Sequence, residues 1–419
     1  MKKKYFKLSI LTLYGIIIGG FVGLLTWTFL SIINLGVHFL WHTLPSYFSI
    51  KYWTVIMCLI GGLLVGLCQK FFGEYPRKMP EVVSEYKETN RVDYKNIHKA
   101  TLSALIVLLF GASLGPEAAL VGIVGGLVTW TGDILKSFFK ENEEFREYTT
   151  LLTNFEIKAT MALIFRAPLY GISDFFNDKN DSSSIKKLKV VIYSITTLSG
   201  FLIFTLLLKI DNRPSFSADF GSSIIGNKEL ISTIPLILVG ISIALLYEFF
   251  GEFLHTITKP LNKHKILKAI LGGLILGLIG TLLPSTLFSG EHELKVLAVE
   301  WSTTSAYLLI ITGLCKLFVT EVCLSTGWRG GHIFPIVFSG ISIGYGFSMI
   351  FSLDPVLCAA IITASLTSTA LKSPLVALFL LIIFFPLNLW PLMIVACFIP
   401  KYLLKLKNSK TITGGNPVG

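Results

Sequence analysis

Gly111-Ala112-Ser113-Leu114-Gly115-Pro116-Glu117-Ala118-Ala119-Leu120-Val121 is the stretch whose reading decides the fold of this chain. Glycines and a proline stand directly before an apolar run, which reads as one helix ending and another beginning. Glu117 is the only ionisable residue between Lys99 and Asp133, among neighbours such as Leu105, Ile106, Val107, Phe110, Ile123 and Trp130. A charge at mid-membrane costs roughly 3 kcal/mol on insertion scales, so one found in such a run is a functional-site hypothesis by default. Helices interrupted at that depth are where ions bind.

The rest of the chain agrees that the membrane is its solvent. Of 419 residues, 53% are apolar and 15% charged, against about 25% charged in an ordinary soluble domain, and the mean hydropathy is +0.71. Apolar spans run roughly over 8–41, 53–72, 98–135, 158–176, 190–208, 230–250, 264–285, 305–320, 331–352, 355–371 and 374–400. A span of about 20 residues can cross a bilayer as a helix. Pro374, Pro386, Pro391 and Pro400 are expected to cut the last of these into pieces. The first run is long and lacks a small-residue cleavage site, so no signal peptide is expected.

The net charge of +11 does not point to nucleic acid, because the basic residues cluster beside apolar spans. Lys2, Lys3, Lys4 and Lys7 precede the first span, Lys186, Lys187 and Lys189 precede the span from 190, and Lys401, Lys405, Lys407 and Lys410 follow the last. That distribution predicts a multi-pass protein of the cell membrane with both termini cytoplasmic. The six cysteines, at 58, 68, 315, 323, 358 and 397, lie in apolar segments without metal-ligand spacing and read as small core residues. No glycine-lysine phosphate loop or clustered ligand set occurs, so no cofactor or metal is expected. The apolar spans offer almost no His, Asp or Glu to pair as nucleophile and base, which argues against an enzyme. They are also short of polar groups to read an organic solute.

An internal repeat is legible. Gly61-Gly62-Leu63-Leu64-Val65-Gly66-Leu67 recurs as Gly272-Gly273-Leu274-Ile275-Leu276-Gly277-Leu278, Arg166-Ala167-Pro168-Leu169 recurs as Lys372-Ser373-Pro374-Leu375, and the Gly115-Pro116 break is matched by Gly330-Gly331 with Pro335. The three offsets, 211, 206 and 216 residues, keep the same order. Two such halves are the layout of transporters whose substrate site lies at the repeat interface. One transmembrane domain over 1–419 is therefore expected, with halves 1–181 and 182–404, a short cytoplasmic tail over 405–419 and no regulatory domain.

The second break, Gly327-Trp328-Arg329-Gly330-Gly331-His332-Ile333-Phe334-Pro335, is again a glycine-rich approach to an apolar helix. At each such start the first-turn N–H groups lack intrahelical partners, and the dipole places about half a positive charge there. Two of them aimed at one point make an anion site without a full positive charge. Glu117 beside it, itself an anion, competes for the same dipoles until protonated or displaced. The bland alternative is ordinary capping chemistry, Pro116 and Glu117 being common first-turn residues; the apolar setting favours function. His332, near Arg329 at a segment start, reads more simply as interfacial than as proton-sensitive. Asp174 and Asp178, at the end of the span 158–176, read first as solvated helix-end residues.

These motifs resemble the CLC chloride channel and chloride/proton antiporter family. Leu114-Gly115-Pro116-Glu117-Ala118-Ala119 is similar to its Gly-Arg-Glu-Gly-Pro hallmark, which places Glu117 where the gating glutamate stands and Ala118-Ala119 where Gly-Pro is usual. Gly331-His332-Ile333-Phe334-Pro335 resembles the Gly-x-Phe-x-Pro segment whose backbone N–H groups hold the central anion, with Ile333 in place of the usual phenylalanine. Arg166-Ala167-Pro168-Leu169 and Lys372-Ser373-Pro374-Leu375 look like the family's paired Ala-Pro-Leu segments, and Pro400-Lys401-Tyr402 like the place of its anion-contacting tyrosine. Pro76-Arg77-Lys78-Met79-Pro80-Glu81 stands where the family has Gly-Ser-Gly-Ile-Pro, so the serine ligand is missing.

What the resemblance implies is an all-α integral membrane protein of two inverted-topology repeats with broken and re-entrant helices, working as a homodimer. It implies an anion held at Ala118, His332, Ile333, Phe334 and Tyr402, a gate at Glu117, and Asp178 in the place of the antiporters' inner proton acceptor. The expected function is transport of chloride through a gated pore; the alternatives are proton-coupled antiport of chloride or transport of another small anion such as fluoride.

Overall fold

Between membrane helices the lipid removes most of the hydrophobic driving force, so close packing at small residues decides which helices pair. The computed structural model, which describes residues 2–48, 50–89, 91–138, 183–210 and 220–413, follows that rule. The long helices are α1 (Lys2–His38), α2 (Trp53–Phe71), α3 (Met79–Thr89), α4 (Ile97–Leu109), α5 (Glu117–Phe138), α6 (Ser183–Ile210) and α7 (Asn227–Thr258). They continue as α8 (Lys265–Leu282), α9 (Glu293–Glu300), α10 (Ala306–Ser325), α11 (Ile333–Phe351), α12 (Pro355–Leu371), α13 (Pro374–Leu381) and α14 (Trp390–Thr413). Eight helices among the described residues are long and apolar enough to cross a membrane.

The repeated glycine motifs find each other. A methyl on Gly62 of α2 would lie 2.7 Å from the Ala269 carbonyl oxygen and 2.8 Å from the Ile270 Cα of α8, while one on Gly277 would lie 2.8 Å from the Val55 Cα. The two backbones therefore touch where the sequence repeats. Elsewhere Gly19 and Gly23 of α1 meet Thr196 and Gly200 of α6 in the same way. At the centre stand α11 and α12, predominantly apolar all round and almost wholly buried, their hydroxyls included. Gly340 and Gly344 of α11 bring their backbone onto Thr363 and Ala359 of α12.

The directions of the helices follow from their end contacts. Gln69 near the end of α2 donates to the Gly327 carbonyl, Arg329 pairs with Glu74, and Thr258 at the end of α7 donates to the Ser325 carbonyl. These ends, with the segment 73–96, share one face of the molecule, here the first face. Asp133 late in α5 binds Arg91 and Tyr94, so α5 runs toward that face. Lys228 at the start of α7 donates to the carbonyls of Phe351 and Ser352, 3.0 and 2.8 Å away, so α11 runs toward the second face. The two helices that follow the two breaks thus run in opposite directions, the mark of inverted repeats.

Both ends of the described chain lie at the first face. Trp53 and Trp41 tie the far end of α1 to the start of α2 and the end of α4; Asn388, just before α14, donates to the Ser223 carbonyl near the start of α7. The proline expectation needs one correction. Pro374 opens α13 and Pro386 precedes a short turn, but Pro400 sits inside α14 without ending it. A membrane helix tolerates such a proline where neighbours and local adjustment satisfy the freed carbonyl.

Candidate functional site

The two breaks lie side by side. Gly115 N–H donates to the Gly331 carbonyl at 2.7 Å and Gly331 N–H donates back to Gly115 at 2.8 Å, a single antiparallel bridge between segments more than 200 residues apart. It forms because neither position carries a side chain. A Cβ on Gly330 would stand 2.8 Å from the Leu114 Cβ, and one on Gly115 or Gly331 would collide with the Glu117 carboxylate. From this bridge α5 and α11 depart, the first helical bonds closing from Leu120 N–H to Pro116 and from Ile336 N–H to His332.

The Glu117 carboxylate lies across both helix starts. Its own backbone begins α5, and its Oε1 accepts from the Phe334 N–H of α11 at 3.1 Å. The residue is 1% exposed, which removes water as a competing donor. With about half a positive charge at each start, the pair of N-termini stabilises a negative group there whether it belongs to a side chain or to a free ion. Beside the bridge, the buried hydroxyls of Ser113 and Thr320 share a hydrogen bond of 3.1 Å.

Space leads to this junction from both sides. A cavity of about 480 Å³ has Leu114 and Pro116 on its wall and reaches Asn34, His38, His292 and Lys295; His38, which ends α1, places it on the second face. On the side of the first face, a cavity of about 20 Å³ touches Ala118 and Gly122 of α5 and Tyr75, Pro76, Arg77 and Asn96. That is room for one water-sized occupant. The segment standing where the family's serine ligand is usual therefore does meet the start of α5, with Arg77 held by Glu85 at 2.7 Å.

Of the expected site residues, Glu117, Ala118, Ile333 and Phe334 come together, all buried. His332 is half-buried in the same turn, but its ring turns away to stack edge-on against Tyr247, centroids 6.2 Å apart. Tyr402 stands apart from them: it is 65% exposed on α14, outside the buried junction. Asp178, Asp174 and the segment 166–171 lie outside the described residues.

Two charged residues of α10 were not singled out from the sequence. Lys316 of α10 is 0% exposed; its ammonium donates to the carbonyls of Ser285, Leu287 and Phe288 at 2.9, 3.0 and 3.2 Å and stands 4.8 Å from the Phe338 ring centroid. It holds the turn after α8 against α10 and α11, and the intramembrane-charge argument applied to Glu117 would have found it. Glu321, one turn further on, falls just beyond the apolar span and carries no such signal.

Residues 61–405 match the family described as "Voltage gated chloride channel". The YfeO protein of Salmonella paratyphi A, named for an inferred role in ion transport, is 26% identical over 347 residues, covering 80% of this chain and 79% of that protein. Among solved structures, the fold is similar to a CLC-type fluoride/proton antiporter, with a TM-score of 0.71, 20% identity and coverage of 95% of this chain and 97% of the other. It is equally similar to a slow cyanobacterial Cl−/H+ antiporter, with a TM-score of 0.71, 17% identity and coverage of 97% and 99%.

Proposed function

Because the chain belongs to the voltage gated chloride channel family, we propose that it carries chloride or a similarly small anion across the membrane by way of the junction of the two breaks. The observation that carries this reading is the Glu117 carboxylate accepting from Phe334 N–H, a negative group seated where two helix N-termini would hold an ion. The large cavity supplies an approach from the second face and the small one an exit toward the first. Glu117 is the gate between them. While ionised it occupies the site; protonated, it no longer competes for the dipoles, and the anion takes its place. The charge each helix start supplies is partial, so the bound anion can also leave, as conduction requires.

Acidification therefore opens the path, and Glu117→Gln fixes the protonated state. In liposomes loaded with chloride, the variant is expected to pass the anion with little dependence on pH. A wild-type pH response in Glu117→Gln would place the gate elsewhere, His332 being the next titratable group along the turn.

A second reading couples the anion to protons, and it is supported by a buried carboxylate that must bind a proton in order to move aside. The similar solved structures are of proton antiporters. On this reading Glu117→Gln also loses proton movement. Fluoride is the alternative cargo, and flux of each anion recorded with internal pH separates the possibilities. The working unit is a homodimer in the cell membrane with one path per subunit, and its first face, which carries the lysine-rich ends of the chain, is cytoplasmic.

A further inference from the structure

The end of α1 and the turn that follows carry two histidines four residues apart, His38 and His42. Residues so spaced share one face of a helix, and two imidazoles placed that way can grip one metal ion. The chain passes between them through a single π-helical turn, Phe39–Thr43, and their ring centroids are 5.6 Å apart with the planes inclined at 40°. Two imidazoles on one tetrahedral ion, each nitrogen about 2.0–2.1 Å from it, bring their centroids to roughly 5 Å. The pair stands a small side-chain adjustment away from that arrangement. The Thr43 hydroxyl lies 3.3 Å from His38 Nδ1. When that nitrogen carries the proton it donates to Thr43, which orients the ring and leaves Nε2 as the nitrogen that binds metal.

Both rings are exposed, and both line the cavity of about 480 Å³ whose floor, Leu114 and Pro116, is buried at the first break. The pair therefore stands at the mouth of the approach to Glu117. Glu291, His292, Glu293 and Lys295 line the same cavity, and Oε2 of Glu293 is shielded from solvent with no hydrogen-bond partner. A carboxylate oxygen in that condition is short of a donor or a cation. Among the described residues no three metal ligands stand around one point, so the histidines supply two corners of a tetrahedron and leave the others open. Imidazole nitrogen suits zinc, copper and nickel, whereas calcium and magnesium prefer oxygen. We propose that His38 and His42 form a site for a divalent metal of the zinc class, and that metal bound there slows the anion by holding it in an open coordination position at the mouth. The slowing rests on the transport reading above; the binding does not. Conduction itself needs no metal.

Calorimetry of the purified protein in detergent with zinc chloride reads the binding, and chloride efflux from liposomes, in zinc or in a chelator, reads its consequence. Wild-type protein is expected to bind zinc and to release chloride more slowly in zinc than in chelator. His38→Ala and His42→Ala are each expected to weaken zinc binding by roughly tenfold or more, since even an outer-shell partner of a metal is worth that much. Their efflux in chelator is expected to equal that of the wild type, because neither ring supports the fold. His264→Ala, just before α8 at the first face, is expected to bind zinc as the wild type does. Equal zinc affinity in the wild type and in both variants of the pair would overturn the site. Zinc that binds through the pair and leaves wild-type efflux unchanged would overturn the slowing. Protein that moves neither chloride nor fluoride would overturn the transport reading and the slowing with it, while the calorimetric comparison still decides the site.

Discussion

At the scale of single residues, position along the chain and position in space part company at Tyr402. The resemblance sets it in the place of an anion-contacting tyrosine, while α14 continues through Pro400 and leaves it exposed. With its ring 65% exposed, Tyr402→Phe is expected to leave chloride affinity unchanged by calorimetry; a weakening of about 1 kcal/mol, the scale of one hydrogen bond, would show that the hydroxyl reaches the ion after all. Glu117 was legible because nothing near it in sequence is charged, so its isolation needed no fold to be noticed. Lys316 was equally visible in an apolar span. Glu321 was not, because only the close approach of the Gly251 backbone shows that this helix-end acid packs against α7.

For the helices, small residues are the recognition code, and the repeat in the sequence becomes a contact between α2 and α8. Both atoms facing Gly62 belong to backbone, which cannot rotate out of the way. Gly62→Ala is therefore expected to lower stability by about 1 to 3 kcal/mol, the usual range for overpacking, read as an earlier thermal transition of the protein in detergent. An unchanged transition would mean that the pair is looser than drawn. The existence of these helices, and the break at 111–116, could be read from hydropathy and glycine placement. Which helices pair could not, because a glycine motif announces a close approach without naming the partner. The behaviour of Pro400 was hidden for a related reason: whether a proline ends a membrane helix depends on what neighbours offer its freed carbonyl.

Across the whole molecule, the inverted halves put opposite helix starts at one depth and both described chain ends on one face. The lysines at the start of α1 and those after the last apolar segment then lie at the same face, which on the positive-inside rule is the face proposed above as cytoplasmic. Reporter fusions at residue 1 and residue 419 are expected to report the cytoplasmic side alike; opposite sides would contradict the directions of α1 and α14. Two halves were legible from matched motifs at matched offsets. Their opposite orientation needed the end contacts, Asp133 with Arg91 and Lys228 with the carbonyls of Phe351 and Ser352.

The Gly115–Gly331 bridge bears on how fast such a protein can work. It stitches one repeat to the other beside the Glu117 carboxylate, and the backbone contact of α2 with α8 adds a second seam. Repeats joined in this way cannot rock as rigid bodies about the site without tearing both seams, which is how many two-repeat carriers alternate their access. What remains free to move is a side chain. Domain motions take microseconds to milliseconds, and the displacement of one carboxylate requires none of them. A cycle that needs only a carboxylate to swing aside is therefore limited by proton binding and by the ion's own departure, and not by the inertia of the scaffold.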